Sequence, residues 1–590
     1  MNDQSFGERP TQPLGFGAPA GPEITAENTV DSLPTAPYQA PGAAPANDKL
    51  PWEQSGNMSW PPPGGANQQV DGGSTGGLIK GAQMNGAAPR RKRGSGPHVS
   101  RRTLLVGAGV AGLASVAVAA GITVHNLTSS HESGGQVSDN EKFAHLLRRA
   151  GFGAGPGDIS AYSALGTNGA VDRLLNFDKI SNAALDQHIA AANFDYTNFT
   201  DIQTWWLTRM LYSAHPLEEK MTLFWHGLLT SSVAKVGGKR GYPLLKQQND
   251  FLRQNAFGRF DDLLAGITID PAMLLWLDGN RSLKGSPNEN FAREEMELFS
   301  MGVGNYTQTD IEQSARALTG WVINPLTGKA VLRPQFHDDG SKTFLGQTGN
   351  FDYKDIARII CSQAVTPKFL STRLWRFFAY ENPSAADIQP LMDAWHSSNH
   401  SIKAMMQALL TSPAFYSTKA YRSRIKSPVE FIVGGFRNLG LGGIEQAGKK
   451  LLGAMNIMGQ ILYDPPNVAG WPGDQVSANW VNTGAWMTRV NTINALVDYM
   501  SASPDFNKQL QADIQKQQID SADKLVTYVL TQLIDGQIDS PRRQMLVDYV
   551  NGSSAGGTDR LTLYGGKAIS GNSVRGLYYL IMSMPEYQLN

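Results

Sequence analysis

The sequence predicts a mainly α-helical, bundle-like domain with one small β-hairpin, preceded by a disordered leader and a single apolar helix. Three observations predict it. From Ser138 onward apolar residues recur at helical spacing behind recognisable N-caps, extended patterns are confined to the region around residues 331–345, and residues 1–89 show no apolar periodicity at all. The charge is balanced, with 51 Lys and Arg against 51 Asp and Glu, and 41% of the residues are hydrophobic, which suffices for a substantial core. A balanced chain gives no electrostatic reason to expect nucleic acid as a partner.

Residues 1–89, rich in Pro, Gly, Ala, Asn and Gln, cannot bury enough surface to offset chain entropy and are expected to be disordered. Residues 90–124 begin with the basic run Arg90-Arg91-Lys92-Arg93 and continue through Ser100-Arg101-Arg102-Thr103-Leu104-Leu105 into an uncharged Gly/Ala/Val/Leu stretch ending near Val124. This resembles a twin-arginine export signal, with Arg101 and Arg102 as its arginine pair and the twin-arginine translocase as the implied partner. Export across the cytoplasmic membrane is therefore expected, to the cell envelope or beyond. Cleavage after Ala117-Val118-Ala119 and retention as an uncleaved anchor both stay open, as does initiation at Met1 or Met84. Residues 125–137 read as a linker.

The main helical domain is expected over residues 138–501. Phe143, Leu146 and Leu147 stripe one helix that stops at Gly151, Trp205 to Leu211 stripe another, and His215-Pro216-Leu217-Glu218-Glu219 opens a third with proline at its first position and acids in its first turn. Ser286 is read as the N-cap of the next, with Glu289 closing a capping box. Thr307 and Asp310 cap its successor, with Tyr306 stapled onto Ile311, so that residues 287–320 form a helical hairpin. Asp338-Asp339-Gly340-Ser341 is read as the turn of a β-hairpin joining 331–336 to 343–345. Helices are expected at 352–364, 367–379, 387–412, 426–438, 446–461 and 482–501. The polar stretch 502–520 reads as a linker to a C-terminal helical subdomain, 521–590.

The motifs His145-Leu146-Leu147-Arg148-Arg149-Ala150-Gly151-Phe152-Gly153, Phe224-Trp225-His226, Asn290 to Glu297, Ala315 to Trp321, Phe336-His337-Asp338, Pro466-Asn467-Val468-Ala469-Gly470-Trp471 and Pro585 to Leu589 occur in one order over roughly residues 138–590. The chain thereby resembles the uncharacterised DUF-1800 family. The resemblance implies an exported bacterial protein, often encoded beside a sulfatase-like protein, which becomes an implied partner, and it carries no settled activity. Where relatives tend to have a histidine after the Glu-Leu pair, this chain has Phe299.

The most site-like segment is the 287–301 helix, where Glu294 and Glu297 share a face and Arg293 stands four residues before Glu297, placed to hold it. With His226, His337 and either Asp338 or Asp339 these glutamates would form a mixed nitrogen and oxygen site suited to one divalent transition metal, Zn, Fe or Mn, with Asp338 as a general base. The alternative for the charge cluster is an ion-paired surface, and for His226 a hydrogen-bonded core residue. No HExxH, EF-hand loop or phosphate loop occurs, and the Gly107-x-Gly109-x-x-Gly112 match lies in the export stretch with no strand before it. The single cysteine, Cys361, excludes an intrachain disulfide and a thiolate cluster and reads as a buried small hydrophobe. The second class of function is noncatalytic: Asn467 and Trp471, on a rigid proline-rich loop followed by Trp480 and Trp486, could stack on envelope glycan unless they fill the core.

Overall fold

The computed structural model describes residues 138–536, 538–552 and 560–590. The leader and the export stretch with Arg101 and Arg102 lie outside the described residues. Among the described residues no helix is long and apolar enough to cross a membrane.

Helices dominate, as the periodicity predicts. α1 (Asp139–Arg149) starts from a complete Ser138/Glu141 capping box, and α2 (Phe199–Tyr212) and α3 (Pro216–Leu228) follow. The tryptophans read as stripes are core: Trp205, Trp206 and Trp225 are fully buried. α4 (Tyr242–Gln254) packs on α3, and α5 (Phe260–Thr268) leads toward α6 (Glu289–Glu297) and α7 (Gln308–Ala317), which form the expected helical hairpin. Thr307 and Asp310 make the predicted capping box.

The start of α6 differs from expectation. Leu283 and Ser286 exchange backbone hydrogen bonds across a tight turn, so residues 283–286 cannot enter the helix, and Asn288 caps it instead by accepting from Phe291 N at 3.1 Å. Tyr306 spends its hydroxyl on Glu297.

The predicted hairpin is also replaced. β1 (Trp321–Ile323) pairs antiparallel with β2 (Ala330–Leu332), and β3 (Lys342–Phe344) with β4 (Gln347–Gly349), so the two segments expected to pair belong to different sheets. Pro334 opens a 3-10 turn that ends the first segment. The β3–β4 turn is made by Leu345 and Gly346, both at positive φ (44° and 80°), as a two-residue hairpin turn requires. Asp338-Asp339-Gly340 instead forms a local turn, with Asp338 Oδ1 accepting from Gly340 N at 3.0 Å, and Arg316 anchors the same carboxylate.

Beyond the sheets come α8 (Tyr353–Cys361), packed on α5, and α9 (Val365–Phe378). The helix expected over 387–412 is two, α10 (Ala385–Ser397) and α11 (Ile402–Thr411). They are parted by Asn399 and His400, whose φ of 56° and 63° are left-handed. α12 (Pro428–Asn438), α13 (Ile444–Ile457) and α14 (Thr483–Ala502) complete the predicted set. Residues 502–520, read as a linker, instead hold α15 (Pro504–Lys516), whose Phe506, Leu510 and Ile514 are buried on one stripe. α16 (Ala522–Ile534), α17 (Ser540–Asn551) and α18 (Gly571–Met582) follow, with α18 packed on α14. The last residues return to the 424–426 segment: Lys426 N donates to Gln588 O at 2.9 Å and Asn590 N to Arg424 O at 2.8 Å.

Candidate functional site

Three of the motifs, those of Arg149, of Phe224-Trp225-His226 and of Pro466 to Trp471, meet at the C-terminal end of α3. There Gly470, at φ 85°, lets the 464–475 loop lie directly on that helix, since a Cβ at 470 would stand 2.2 Å from Gly227 O. Thr230 Oγ1 donates to Val468 O at 2.8 Å and fixes the same contact from the other side. The approach brings the loop's next acid, Asp474, against Gly227, whose added Cβ would meet Asp474 Oδ2 at 2.6 Å. Arg424 Nη2 donates to the carbonyls of Gly473 and Asp474 at 3.2 and 2.9 Å and locks the turn.

α9 supplies the facing wall. Its Arg373 and Arg376, one turn apart, share with Phe224, Gly227, Leu228, Phe377, Asp474 and Gln475 a narrow cleft, open to solvent, with a cavity volume of about 20 Å³. Arg149, the second arginine of the first motif, is what positions this helix: its guanidinium donates to Phe378 O at 2.8 Å and Phe377 O at 2.7 Å, satisfying end carbonyls of α9 and matching the negative end of its dipole. Arg376 Nε donates to Glu381 O at 2.9 Å.

Two groups in the cleft stand out by what they lack. Among the described residues nothing donates to the Asp474 carboxylate, and Arg373 has neither a hydrogen bond nor an ion pair. The neighbouring charges are matched, Lys220 by Glu430, Arg437 by Asp158 and Glu219 by Arg209 and Arg253. Burial raises Asp474 from its ordinary 3.8 to about 7, against the opposing pull of Arg424 and Arg373. A carboxyl half-protonated near neutrality beside a guanidinium with free donors can both bind an oxyanion and pass it a proton. The sequence singled out neither Arg373 nor Asp474, although the acid stands three residues after Trp471.

The residues singled out from sequence do not assemble into one metal site. His226 is 1% exposed and ringed by Trp206, Tyr463 and Trp471 at 5.4, 5.5 and 5.4 Å between centroids. Its Nε2 has no partner and burial lowers it to about 3, so it is a neutral core histidine. Glu294 and Glu297 are half-buried on α6, but Arg293 donates to Gln308 at 3.4 Å rather than holding Glu297, which Tyr306 holds. His337 Nδ1 donates to Thr319 O at 2.9 Å. Asp338 is gripped by Arg316 through two bonds of 2.7 and 3.1 Å, which lower it to about 2 and leave it a poor general base at neutral pH. Among the described residues the group whose donor atoms all lie within 4.8 Å of one another is instead Asp261, Cys361 and His400.

The glycan platform is corrected too. Trp471 is 1% and Trp480 3% exposed, so both fill core, and the exposed Asn467 uses its Oδ1 to accept from Ala469 N at 2.9 Å in a local turn. His145 likewise serves structure, its Nε2 donating to Phe415 O at 2.9 Å.

The charged α6 hides one further group, Glu295, which is 1% exposed. Its Oε1 lies 2.6 Å from Thr268 Oγ1, whose single proton also faces Leu264 O at 2.7 Å, while Oε2 has no partner. A protonated carboxyl satisfies this arrangement by donating to Thr268 Oγ1, and burial raises Glu295 from 4.5 to about 7. Because the folded state keeps the proton that the unfolded chain releases near pH 4.5, stability is fully present below that value and falls as pH rises to about 7, by up to about 3 kcal/mol. Glu295→Gln should remove this slope, and urea unfolding at about pH 5 and about pH 8 should show the variant gaining on the parent only at the higher pH.

A family described as "Protein of unknown function (DUF1800)" matches residues 145–589. No curated protein and no solved structure matches the chain.

Proposed function

We propose a function from the cleft alone, on the premise that the chain belongs to the DUF1800 family, whose description assigns none. The chain is an exported protein of the cell envelope that captures an oxyanion, a sulfate, phosphate or carboxylate borne by an envelope substrate, between Arg373 and Arg376, and protonates it from Asp474. One observation carries this reading: an unbonded carboxyl and an unbonded guanidinium face one cleft at the point where the motifs of α3 and the 464–475 loop meet.

Arg373 and Arg376 supply positive charge and forked donors, the residue type suited to oxyanions. Protonated Asp474 donates to the bound oxygen, and in an ester it stands as general acid toward the oxygen of the departing alcohol. Ionised Asp474 repels the anion, so affinity falls as pH rises through about 7. Export by the twin-arginine translocase, and service to a sulfatase-like partner whose chemistry also concerns an oxyanion, belong to the same reading. A metal held by His226, Glu294, Glu297 and His337 is not part of it, since His226 is enclosed by aromatic rings in the core and Glu297 and His337 are hydrogen-bonded elsewhere.

Titration with sulfate, phosphate and acetate, followed by the fluorescence of Trp471 beside the cleft, tests it. Removing one charge-assisted contact is worth about 1.5–3 kcal/mol, so Arg373→Ala should weaken the best anion about 10-fold to 150-fold. Asp474→Asn should abolish the pH dependence of binding. Equal affinity in all three proteins would refute the proposal.

A further inference from the structure

Outside the cleft, one cluster combines three chemically different donors. Asp261 sits in the first turn of α5, Cys361 is the last residue of α8, and His400 occupies the left-handed turn between α10 and α11. One donor atom from each, an oxygen, a sulfur and an imidazole nitrogen, lies within 4.8 Å of the other two. His400 Nδ1 is 2.8 Å from Asp261 Oδ2 and 3.1 Å from Oδ1, and the ring is stacked on Trp395 at 4.3 Å, so its orientation is fixed from two sides. Arg259 Nη2 stands 3.3 Å from Asp261 Oδ1 at the outer edge.

We infer that Asp261, Cys361 and His400 form a zinc-binding site, separate from the anion cleft, with a fourth position for water. The donor set decides the class of ion: a thiolate selects borderline and soft metals and excludes magnesium and calcium, while imidazole and carboxylate with one thiolate suit Zn²⁺. Charge decides it again. Cys361 is 1% exposed, and a free thiolate is unfavourable there. Zn²⁺ with one thiolate, one carboxylate and a neutral imidazole is a neutral unit, so binding releases the Cys361 proton, plus one ring proton where His400 enters as imidazolium, and leaves no net charge inside. Tetrahedral zinc places its ligands about 3.3–3.8 Å apart, so the Asp261–His400 pair opens slightly from 2.8 Å while the wider separations, at most 4.8 Å, close by about 1 Å. The side chain of His400 is 22% exposed and Asp261 10%, which leaves the fourth position facing solvent. Bound there, the ion ties α5, α8 and the α10–α11 turn together.

The test uses the full chain prepared without chelator and titrated with Co²⁺ as the zinc stand-in, then with Zn²⁺ in competition. A sulfur-to-cobalt charge-transfer band in the near ultraviolet, saturating at one ion per chain and displaced by Zn²⁺, is expected. Cys361→Ser should abolish the band, and His400→Gln should weaken Zn²⁺ by more than about tenfold. If either variant folds poorly, the parent alone still decides, because Zn²⁺ should raise its melting temperature and a chelator reverse the rise. Absence of the band together with no zinc-dependent shift in melting would overturn the assignment and return the cluster to an ion pair at the start of α5.

Discussion

Replacing Glu430 by alanine should destabilise the protein by about 3–5 kcal/mol, read as a lower urea midpoint, because it leaves a buried ammonium without its counterion. Lys220 is fully buried on α3, with its Nζ over the rings of Phe152 at 5.1 Å and Phe377 at 5.6 Å, and it donates to Glu430. Glu430 is also the capping acid of α12, its Oε2 accepting from Ser427 N at 2.7 Å. Lys220 and Arg149 hold its carboxyl down at about 2 despite burial, so the pair is charged in the folded state. The stability it provides is present above the ordinary 4.5 and disappears as pH falls toward 2. Since Lys220 lies on the helix that carries Phe224 and Gly227, the loss should reach the cleft. The double variant Lys220→Met/Glu430→Leu should recover much of the stability, as apolar pairs of similar volume do.

Asp535→Ala should be comparably severe, again about 3–5 kcal/mol. Asp535 ends α16 in a left-handed conformation, φ 59°, and its Oδ2 accepts from Arg148 at 2.6 Å, from Arg422 at 2.9 Å and from the hydroxyl of Tyr421. One carboxylate thus joins α1, the segment before α12 and the C-terminal helices, and its removal strands two buried guanidinium groups. Arg148 and Arg422 hold Asp535 at about 2, so this contribution also vanishes between about pH 4 and pH 2. Asp535→Asn keeps the shape and a hydrogen-bond acceptor and should cost less. Hydrogen exchange should show α16 opening first in both variants.

Much of the fold was legible because its helices announce their own ends. The Thr307/Asp310 capping box, proline at the start of α3 and the apolar stripes of α1, α2 and α8 are local signals that tertiary packing did not override. What failed was non-local. Residues 331–336 and 343–345 do not pair with each other because each finds a nearer partner, 321–323 and 347–349, and Arg316, from another element, anchors the Asp338 segment between them. The polar stretch 502–520 reads as a linker because the buried stripe of Phe506, Leu510 and Ile514 is thin against the eight polar or charged positions of α15.

The site was harder still. Charge density drew attention to α6, yet Glu297 is satisfied by Tyr306, and the group with perturbed chemistry there is the one turned inward, Glu295. Asp474 and Arg373 are more than ninety residues apart with ordinary neighbours in the sequence. The Gly227–Gly470 contact and the Arg149 bonds to the end of α9, neither of which sequence can report, place them in one cleft. For Trp471 the stiff loop leaves ligand platform and core filler both open in the sequence, and its ring lies in the core beside His226.

The most direct test of the central claim is a crystal of the full chain soaked in selenate, an oxyanion located by its anomalous scattering. The account predicts selenate between the guanidinium groups of Arg373 and Arg376 with an oxygen in hydrogen-bonding reach of Asp474. An empty cleft in crystals that bind selenate at other arginines would contradict it.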